Sequence, residues 1–154
     1  MANGLLLGED ARVAAWAFST FGLTPMHVNR AFGIVRHDGM LVGAALLQGF
    51  NGHNIDLSYC GENTVTLGVV RAVARAIATE FNPSRVTIVT SKRNRHLVNS
   101  VQKLGWRLEG AQRRYYGHKD CRRNTGVRFV MFREQVLKLA GFQESVPQQS
   151  TVNA

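Results

Sequence analysis

The chain has 154 residues, of which 45% are hydrophobic and 19% charged, and these values are typical of one globular domain with a substantial core. No apolar run approaches the roughly 20 residues needed to cross a bilayer, and Leu5-Leu6-Leu7 is too short for a signal peptide. We therefore expect a cytosolic protein that does not act within a membrane.

The charge balance is strongly basic, with 19 Lys and Arg against 10 Asp and Glu and a formal net charge of +9. A polyanionic ligand, an acidic protein or a nucleic acid would each match this charge, and so would a plain solvated surface. The two cysteines, Cys60 and Cys121, lie in different contexts and no C-x-x-C motif is present. We therefore expect reduced thiols, with neither a disulfide framework nor a metal site.

The N-terminal part predicts one helix followed by an ambiguous segment. Apolar residues recur with helical spacing from Asp10 to about Phe21, with Asp10 as the candidate cap and Gly22 as the end. Residues 24–29 fit either a short second helix or a loop over a substrate groove.

Between residues 31 and 60 the hydrophobic pattern changes to the spacing of strands. Asp38-Gly39 and Asn51-Gly52 separate three apolar stretches, and both dipeptides are strong hairpin signals. We expect three antiparallel strands here.

The second half of the chain alternates helices and strands. A helix is predicted from a loop at Gly61 to about Phe81, where Asn82-Pro83-Ser84 stops it, and a buried strand at 85–90 leads to a second helix between Asn94 and Gly105. The remaining predicted elements are strands at about 106–116 and 127–132 joined by a long polar loop, a helix at 132–139, and a disordered tail at 143–154.

The loop at residues 61–66 lies between a strand and the start of a helix. Unpaired backbone amides and the helix dipole both point at such a position, which favours negative charge. The sequence therefore predicts a site for a phosphate-bearing ligand.

Residues 85–113 carry a family resemblance. A strand from Arg85 to Thr90 precedes Asn94, and Lys103-Leu104-Gly105-Trp106 precedes Leu108-Glu109-Gly110 with Arg113. This order resembles the second half of a GNAT acyl-CoA N-acyltransferase, in which an asparagine opens a helix and the motifs K-L-G-F and E-G-x-x-R follow. The order of elements extends the resemblance to roughly residues 8–142, and it is most similar to small, often phage-encoded members.

The resemblance implies a single α/β (α+β) GNAT-fold domain at residues 1–142, with a mixed, mostly antiparallel sheet, a splayed parallel strand pair and flanking helices. It also implies acetyl-CoA (coenzyme A) as the acyl donor and direct acetyl transfer, in a ternary complex, to an amine of a protein or small molecule. A phage-encoded member would act in the host cytoplasm, with an acidic host protein as one candidate acceptor, and a homodimer is compatible with the family.

The segment that would bind the cofactor pyrophosphate departs from the family pattern. The family uses R-x-x-G-x-G/A, whereas residues 63–68 keep only the last glycine, so backbone amides and threonine hydroxyls would take over. The resemblance also places an oxyanion-stabilising amide at the end of the fourth strand and assigns the family asparagine to the cofactor. The predicted cofactor-binding residues are Tyr59, Cys60, Asn63, Thr64, Val65, Thr66, Leu67, Gly68 and Asn94.

Acetyl transfer to an amine requires a base, because the amine is protonated at neutral pH and must lose a proton before it attacks. Strand alternation places Asp56 on the polar face of its strand, with His53 near the strand start, and we take these two as candidates for the base. Glu109 is a second candidate, although its match to the family motif indicates a structural role.

The acid that protonates the leaving thiolate is harder to assign. The two positions at which family members place a tyrosine or a serine carry Val101 and Leu97. Ser100, Tyr115 and Tyr116 remain as candidates for the acid, and loss of the thiolate without an acid stays open.

Two further interpretations compete with this enzyme, and a covalent route through Cys60 is an alternative mechanism for it. A catalytically degenerate GNAT-fold protein would bind and modulate a host protein, and the missing glycines favour it. A nucleic-acid binder would use the basic and aromatic residues interleaved at 113–123. A covalent acyl-enzyme on Cys60 would require a lowered thiol pKa and a partner base.

Overall fold

The computed structural model describes residues 4–22, 27–61 and 64–142. They form one seven-stranded sheet in the order β1-β2-β3-β4-β5-β7-β6, in which β4 and β5 pair in parallel and the other neighbours are antiparallel. The strands are β1 (Gly4–Leu6), β2 (Val28–Val35), β3 (Leu41–Gln48), β4 (Asn54–Cys60), β5 (Arg85–Ser91), β6 (Arg107–Gln112) and β7 (Gly126–Phe132). The predicted mixed, mostly antiparallel sheet is therefore confirmed.

The described residues also form four α-helices: α1 (Asp10–Phe21), α2 (Leu67–Ala76), α3 (Arg95–Lys103) and α4 (Arg133–Ala140). The first ends as predicted at Gly22, which takes the left-handed conformation with φ of 62°. The helix predicted to reach Phe81 does so, but its last turn, Ile77–Phe81, is π-helical. Asn82 then reverses the chain with φ of 45°.

The prediction that Asp10 caps α1 was wrong. Glu9 is the N-cap residue and makes no capping bond, while Asp10 is the first residue of the helix. Its carboxylate instead accepts hydrogen bonds from Arg30 Nε at 2.8 Å and from the Ala31 amide at 3.0 Å. Asp10 therefore joins α1 to β2, because a charged acceptor shared by a main-chain amide and a guanidinium fixes both elements at once.

Both hairpins predicted from their turn dipeptides are present. Gly39 and Gly52 have φ of 81° and 93°, conformations that glycine adopts at little cost. The strand β1 was not predicted, since three residues at a sheet edge carry too little pattern. Strand β6 also ends at Gln112, short of the predicted 116.

Two hydrophobic clusters lie on opposite faces of the sheet. The larger one joins β4, β5 and β7 to α2, α3 and α4, with Ile55, Leu57 and Phe129 at its centre. The smaller one packs Val13, Ala14 and Ala17 of α1 against strands β2 to β4 and includes Cys60. The alternation predicted for β4 is thus confirmed, with Leu57 on the larger cluster and Asp56 exposed on the other face.

No helix within the described ranges is both long and apolar enough to span a bilayer. The predicted tail at 143–154 lies outside the described residues, as do residues 24–26 of the ambiguous segment, while Val28 already belongs to β2.

The start of α2 allows a test of local stability. Thr66 is its N-cap, and Thr66 Oγ1 accepts a hydrogen bond from the Val69 amide at 3.3 Å. We expect Thr66→Ala to lower the free energy of unfolding by about 1 kcal/mol, because the amide loses its acceptor. Thr66→Ser keeps the oxygen and should stay near the parent protein in urea denaturation. Equal losses in the two variants would show that the threonine methyl group, not the cap, stabilises the helix.

Candidate active site

The parallel strands β4 and β5 pair over three positions and then separate. Their register joins Asn54 to Arg85, Ile55 to Val86 and Asp56 to Thr87. Beyond these pairs β4 continues to Cys60, still hydrogen-bonded to β3 but with no partner strand on its β5 side among the described strands. Main-chain groups on this side of residues 57–60 therefore border a gap in the sheet.

A cavity of about 900 Å³ occupies the space below this gap. This is within the range of sites that hold small molecules and cofactors. Its walls come from the end of β4, the turn into α2, one face of α2 and one face of α3, with Trp106, Met131 and α4 at the far end. Most of the lining is apolar, and the polar groups concentrate near Thr66 and along α3.

Gly61 and Thr64, between β4 and α2, pack tightly against β3. Gly61 has φ of 101°, and a Cβ atom there would collide with the Val42 carbonyl oxygen and lie 2.8 Å from Gly43 Cα. Thr64 is 2% exposed, and its hydroxyl donates to the Gly61 carbonyl oxygen at 3.1 Å. These contacts fix Gly61 and Thr64 against β3 at the edge of the cavity.

The first turn of α2 borders the same cavity through Leu67. Val69 donates to Thr66 Oγ1 and Val70 to the Thr66 carbonyl oxygen. Within the described part of the chain, the Leu67 and Gly68 amides have no acceptor. A Cβ atom built on Gly68 meets nothing closer than Thr66 Oγ1 at 3.9 Å, so the surface there is open. The arrangement fits a phosphate group of a cofactor, which free amides and the helix dipole would bind together.

Helix α3 forms the opposite wall. Asn94 caps it by accepting from the Leu97 amide at 3.3 Å, and the same residue lines the cavity. Behind it His96, Ser100 and Lys103 form a polar stripe with helical spacing on the cavity side. Ser100 Oγ donates to the His96 carbonyl oxygen at 2.8 Å. The sequence reasoning missed His96, although its spacing of four residues from Ser100 could have indicated a shared face.

Tyr59 and Cys60 occupy the end of β4 at the gap, as predicted, and both line the cavity. Burial raises the pKa of the Tyr59 hydroxyl far above its ordinary value, and burial also raises the pKa of the Cys60 thiol. A thiol with a raised pKa is a poor nucleophile at neutral pH. The lowered thiol pKa that a covalent acyl-enzyme on Cys60 would require is therefore not met.

The structure brings most of the predicted cofactor residues together. The cavity is lined by Tyr59, Cys60, Thr64, Val65, Thr66, Leu67 and Asn94, and Gly68 follows directly in α2. Asn63 lies outside the described residues. Of the four predicted catalytic residues, Ser100 alone lines this cavity.

The other catalytic candidates lie elsewhere. Asp56 is exposed on the sheet face away from Leu57, where Asp56 Oδ1 accepts from Asn54 Nδ2 at 3.0 Å, and His53 is exposed in the preceding turn. Glu109 binds Arg85 Nη2 through both carboxylate oxygens, at 2.7 and 2.8 Å. Tyr115 is 49% exposed and packs edge-on against Tyr116.

This chain has the GNAT fold. The fold is defined by a mixed sheet with helices on both faces and by two parallel strands that separate beside a cavity. The spermidine/spermine N-acetyltransferase SpeG from Vibrio cholerae, solved with manganese ions, is similar with a TM-score of 0.66 and 14% identity, over 89% of this chain and 96% of that one. A chimera of SpeG with hSSAT has a TM-score of 0.60 and 14% identity over 71% of each chain.

An acetyltransferase of the GNAT family from Bacillus anthracis is also similar, with a TM-score of 0.55 and 15% identity over 68% of this chain and 66% of that one. No family model matches the sequence. No curated protein sequence matches it either. The likeness therefore lies in the three-dimensional arrangement of the backbone, and the sequence has diverged widely.

Proposed function

We propose that this protein is an acetyl-CoA-dependent N-acetyltransferase. The observation that carries the proposal is one cavity that extends from the first turn of α2 to the end of β4, where that strand no longer pairs with β5. The Leu67 and Gly68 amides in that turn have no acceptor among the described residues. A polyphosphate at one end and a reactive group in the gap are what a long cofactor such as coenzyme A requires. The solved GNAT acetyltransferases of the same fold support this assignment.

Each wall of the cavity has a part in this function. The amides of Leu67 and Gly68, with the Thr66 hydroxyl beside them, bind the pyrophosphate, and the apolar faces of α2 and α3 exclude water along the rest of the cavity. Acetyl-CoA supplies the activated acyl group as a thioester. A main-chain N–H at Tyr59 or Cys60 on the unpaired side of β4 donates to the thioester oxygen, where negative charge develops.

The base is best assigned to His96. Removing a proton from a lysine-like amine at neutral pH costs roughly 5 kcal/mol, so a proton acceptor within the site matters. Among the described residues that line the cavity, Tyr59 and Cys60 hold their protons because their pKa values are raised, and Lys103 is a cation. The His96 imidazole is the remaining titratable group, and Asp56 would have to act from the opposite face of the sheet.

Tyr59 and Ser100 are the hydroxyls in the cavity that can donate to the departing sulfur. Since burial raises the pKa of Tyr59, its hydroxyl stays protonated throughout the working pH range and serves as a hydrogen-bond donor. The Ser100 hydroxyl already donates to the His96 carbonyl oxygen, so it is less available to donate to the departing sulfur.

The experiment that tests this function combines calorimetry with acetyl-CoA and transfer of labelled acetyl groups to a panel of amines. We expect binding, transfer, and a loss of about a hundredfold in kcat for His96→Gln with a smaller effect on cofactor affinity, because general base catalysis contributes about that factor. Asp56→Asn is the matched control and should retain the parent rate.

The outcomes separate the competing assignments. If Asp56→Asn loses activity and His96→Gln does not, the base belongs on the other face of the sheet. Cofactor binding without transfer to any amine would leave a GNAT-fold binding protein, and absence of cofactor binding would refute the proposed function.

A further inference from the structure

We propose that the acceptor of this site is an amine that also carries an anionic group, a phosphate or a carboxylate, and that polyamines are poor acceptors. This inference rests on the proposed N-acetyltransferase function and adds the chemical class of the substrate. It is carried by a second cavity that adjoins the first.

The second cavity has a volume of about 960 Å³ and opens where β5 ends. It shares Phe21 and Asn94 with the cofactor cavity, so the two spaces meet between the end of α1 and the start of α3, close to the end of β5. A molecule held in it lies next to the place where the acyl group would be presented. We therefore assign it to the acceptor.

Three cationic side chains line this second cavity: Arg93, Lys119 and Arg123. None of the three has a carboxylate partner among the described residues, whereas the Arg30, Arg85 and Arg113 side chains do. None of the described lining residues is acidic. Burial raises the pKa of Tyr116 to about 12, so its hydroxyl contributes no negative charge at neutral pH.

The loop at residues 113–124 places these cations. Its single acidic residue, Asp120, is bound by the Arg113 guanidinium, which leaves the charge of Lys119 and Arg123 uncompensated. Asn124 Nδ2 donates to the Lys119 carbonyl oxygen at 2.9 Å, and the Asn124 carbonyl oxygen accepts from the Tyr116 amide at 3.1 Å. Ser91 Oγ donates to the Arg123 carbonyl oxygen at 2.7 Å. The loop is thus fastened to the end of β5 by its main chain.

This arrangement disfavours a polycation and favours an anion. Three unpaired cations around a cavity repel a second ammonium group of the acceptor, while they bind phosphate or carboxylate oxygens through charge-assisted hydrogen bonds. The amine that reacts must then lie toward Asn94, at the boundary with the first cavity.

The test uses matched pairs of small amines with the full chain, and it measures both equilibrium binding in the presence of coenzyme A and kcat/KM with acetyl-CoA. In the first pair phosphoethanolamine is the anionic member and ethanolamine its control. In the second pair β-alanine is the anionic member and β-alaninamide its control. Spermidine serves as the polycation. We expect the anionic member of at least one pair to be preferred by about tenfold to a hundredfold, as hydrogen bonds to charged groups would give. The pair that shows the preference distinguishes phosphate from carboxylate.

The variant Arg123→Glu should reduce that preference by about tenfold, since it reverses one of three charges. Arg123 is exposed and its carbonyl, not its side chain, binds Ser91, so the loop should keep its structure. Arg107→Glu makes the same charge change on the exposed strand β6, outside both cavities, and should leave the preference unchanged.

Three results would overturn the inference: no preference for the anionic member of either pair, tighter binding of spermidine than of both anionic amines, or equal preference in Arg123→Glu and the parent protein. All three can be measured by binding alone. Failure of acetyl-CoA to bind or react would instead count against the enzyme function, so the two failures are distinguishable.

Discussion

Gly61→Ala should lower the free energy of unfolding by about 3 kcal/mol, which is among the larger effects of a single substitution. Two costs add at this position. The residue has φ of 101°, which a side chain tolerates poorly, and its new methyl group would overlap the main chain of Val42 and Gly43. Backbone atoms of a central strand cannot move aside without breaking the pairing of β3 with β4.

Gly52→Ala is the matched control for this prediction. Gly52 has φ of 93°, close to that of Gly61, but a Cβ atom there meets nothing within 4 Å. It should therefore cost only the conformational term, about 1 kcal/mol. Urea denaturation of the two variants measures the difference, and equal losses would show that the close approach of the turn to β3 does not contribute.

Gly68→Glu should weaken coenzyme A binding by about tenfold or more without destabilising the protein. The new carboxylate would stand beside the amides of Leu67 and Gly68 and repel the pyrophosphate proposed to bind there. An acidic residue in the first turn of a helix is itself favourable, because it interacts with the helix dipole. Thermal stability should thus hold or rise while affinity, measured by calorimetry, falls.

Gly68→Ala separates charge from the loss of glycine. The position has open space, and alanine is a better helix former than glycine by about 1 kcal/mol, so this variant should be more stable and bind coenzyme A like the parent protein. If Gly68→Glu binds coenzyme A as well as Gly68→Ala does, the pyrophosphate lies elsewhere and the role of the α2 amides is refuted.

Much of the fold follows from local signals in the sequence. Asp38-Gly39 and Asn51-Gly52 specify tight turns by their backbone preferences, and the spacing of Val70, Val73 and Ile77 specifies a helix with one buried face. These signals act over a few residues, so no tertiary information is needed. The short edge strand β1 has no such signal, because its pairing with β2 is what makes it a strand.

The parts of the candidate site that are formed by the main chain could be predicted from the sequence. The parts that depend on side chains brought together by the tertiary structure could not. The end of β4 and the start of α2 were found because a strand, a turn and a helix follow one another along the chain. The alternation of β4 was also correct, but it could not say on which face the cavity would lie, and so Asp56 was taken as a base candidate while His96 was not considered. That choice depends on how α2 and α3 pack on the sheet.

The same limit explains Asp10. Its position at a helix start indicates a cap, yet a nearby amide of β2 and the Arg30 guanidinium offer better partners once the sheet has formed. The second cavity is a stronger example, because it gathers Phe21, Arg93 and Arg123 from three distant parts of the chain.

The loop at residues 113–124 has a consequence for the divergence of such enzymes. It carries two of the three cations of the second cavity, but it contributes no residue to either hydrophobic cluster. Substitutions in it can therefore accumulate without a penalty in core packing. A lineage of this protein could exchange the proposed acceptor for another by drift in this segment alone, while the proposed cofactor cavity stays under the constraint of core packing.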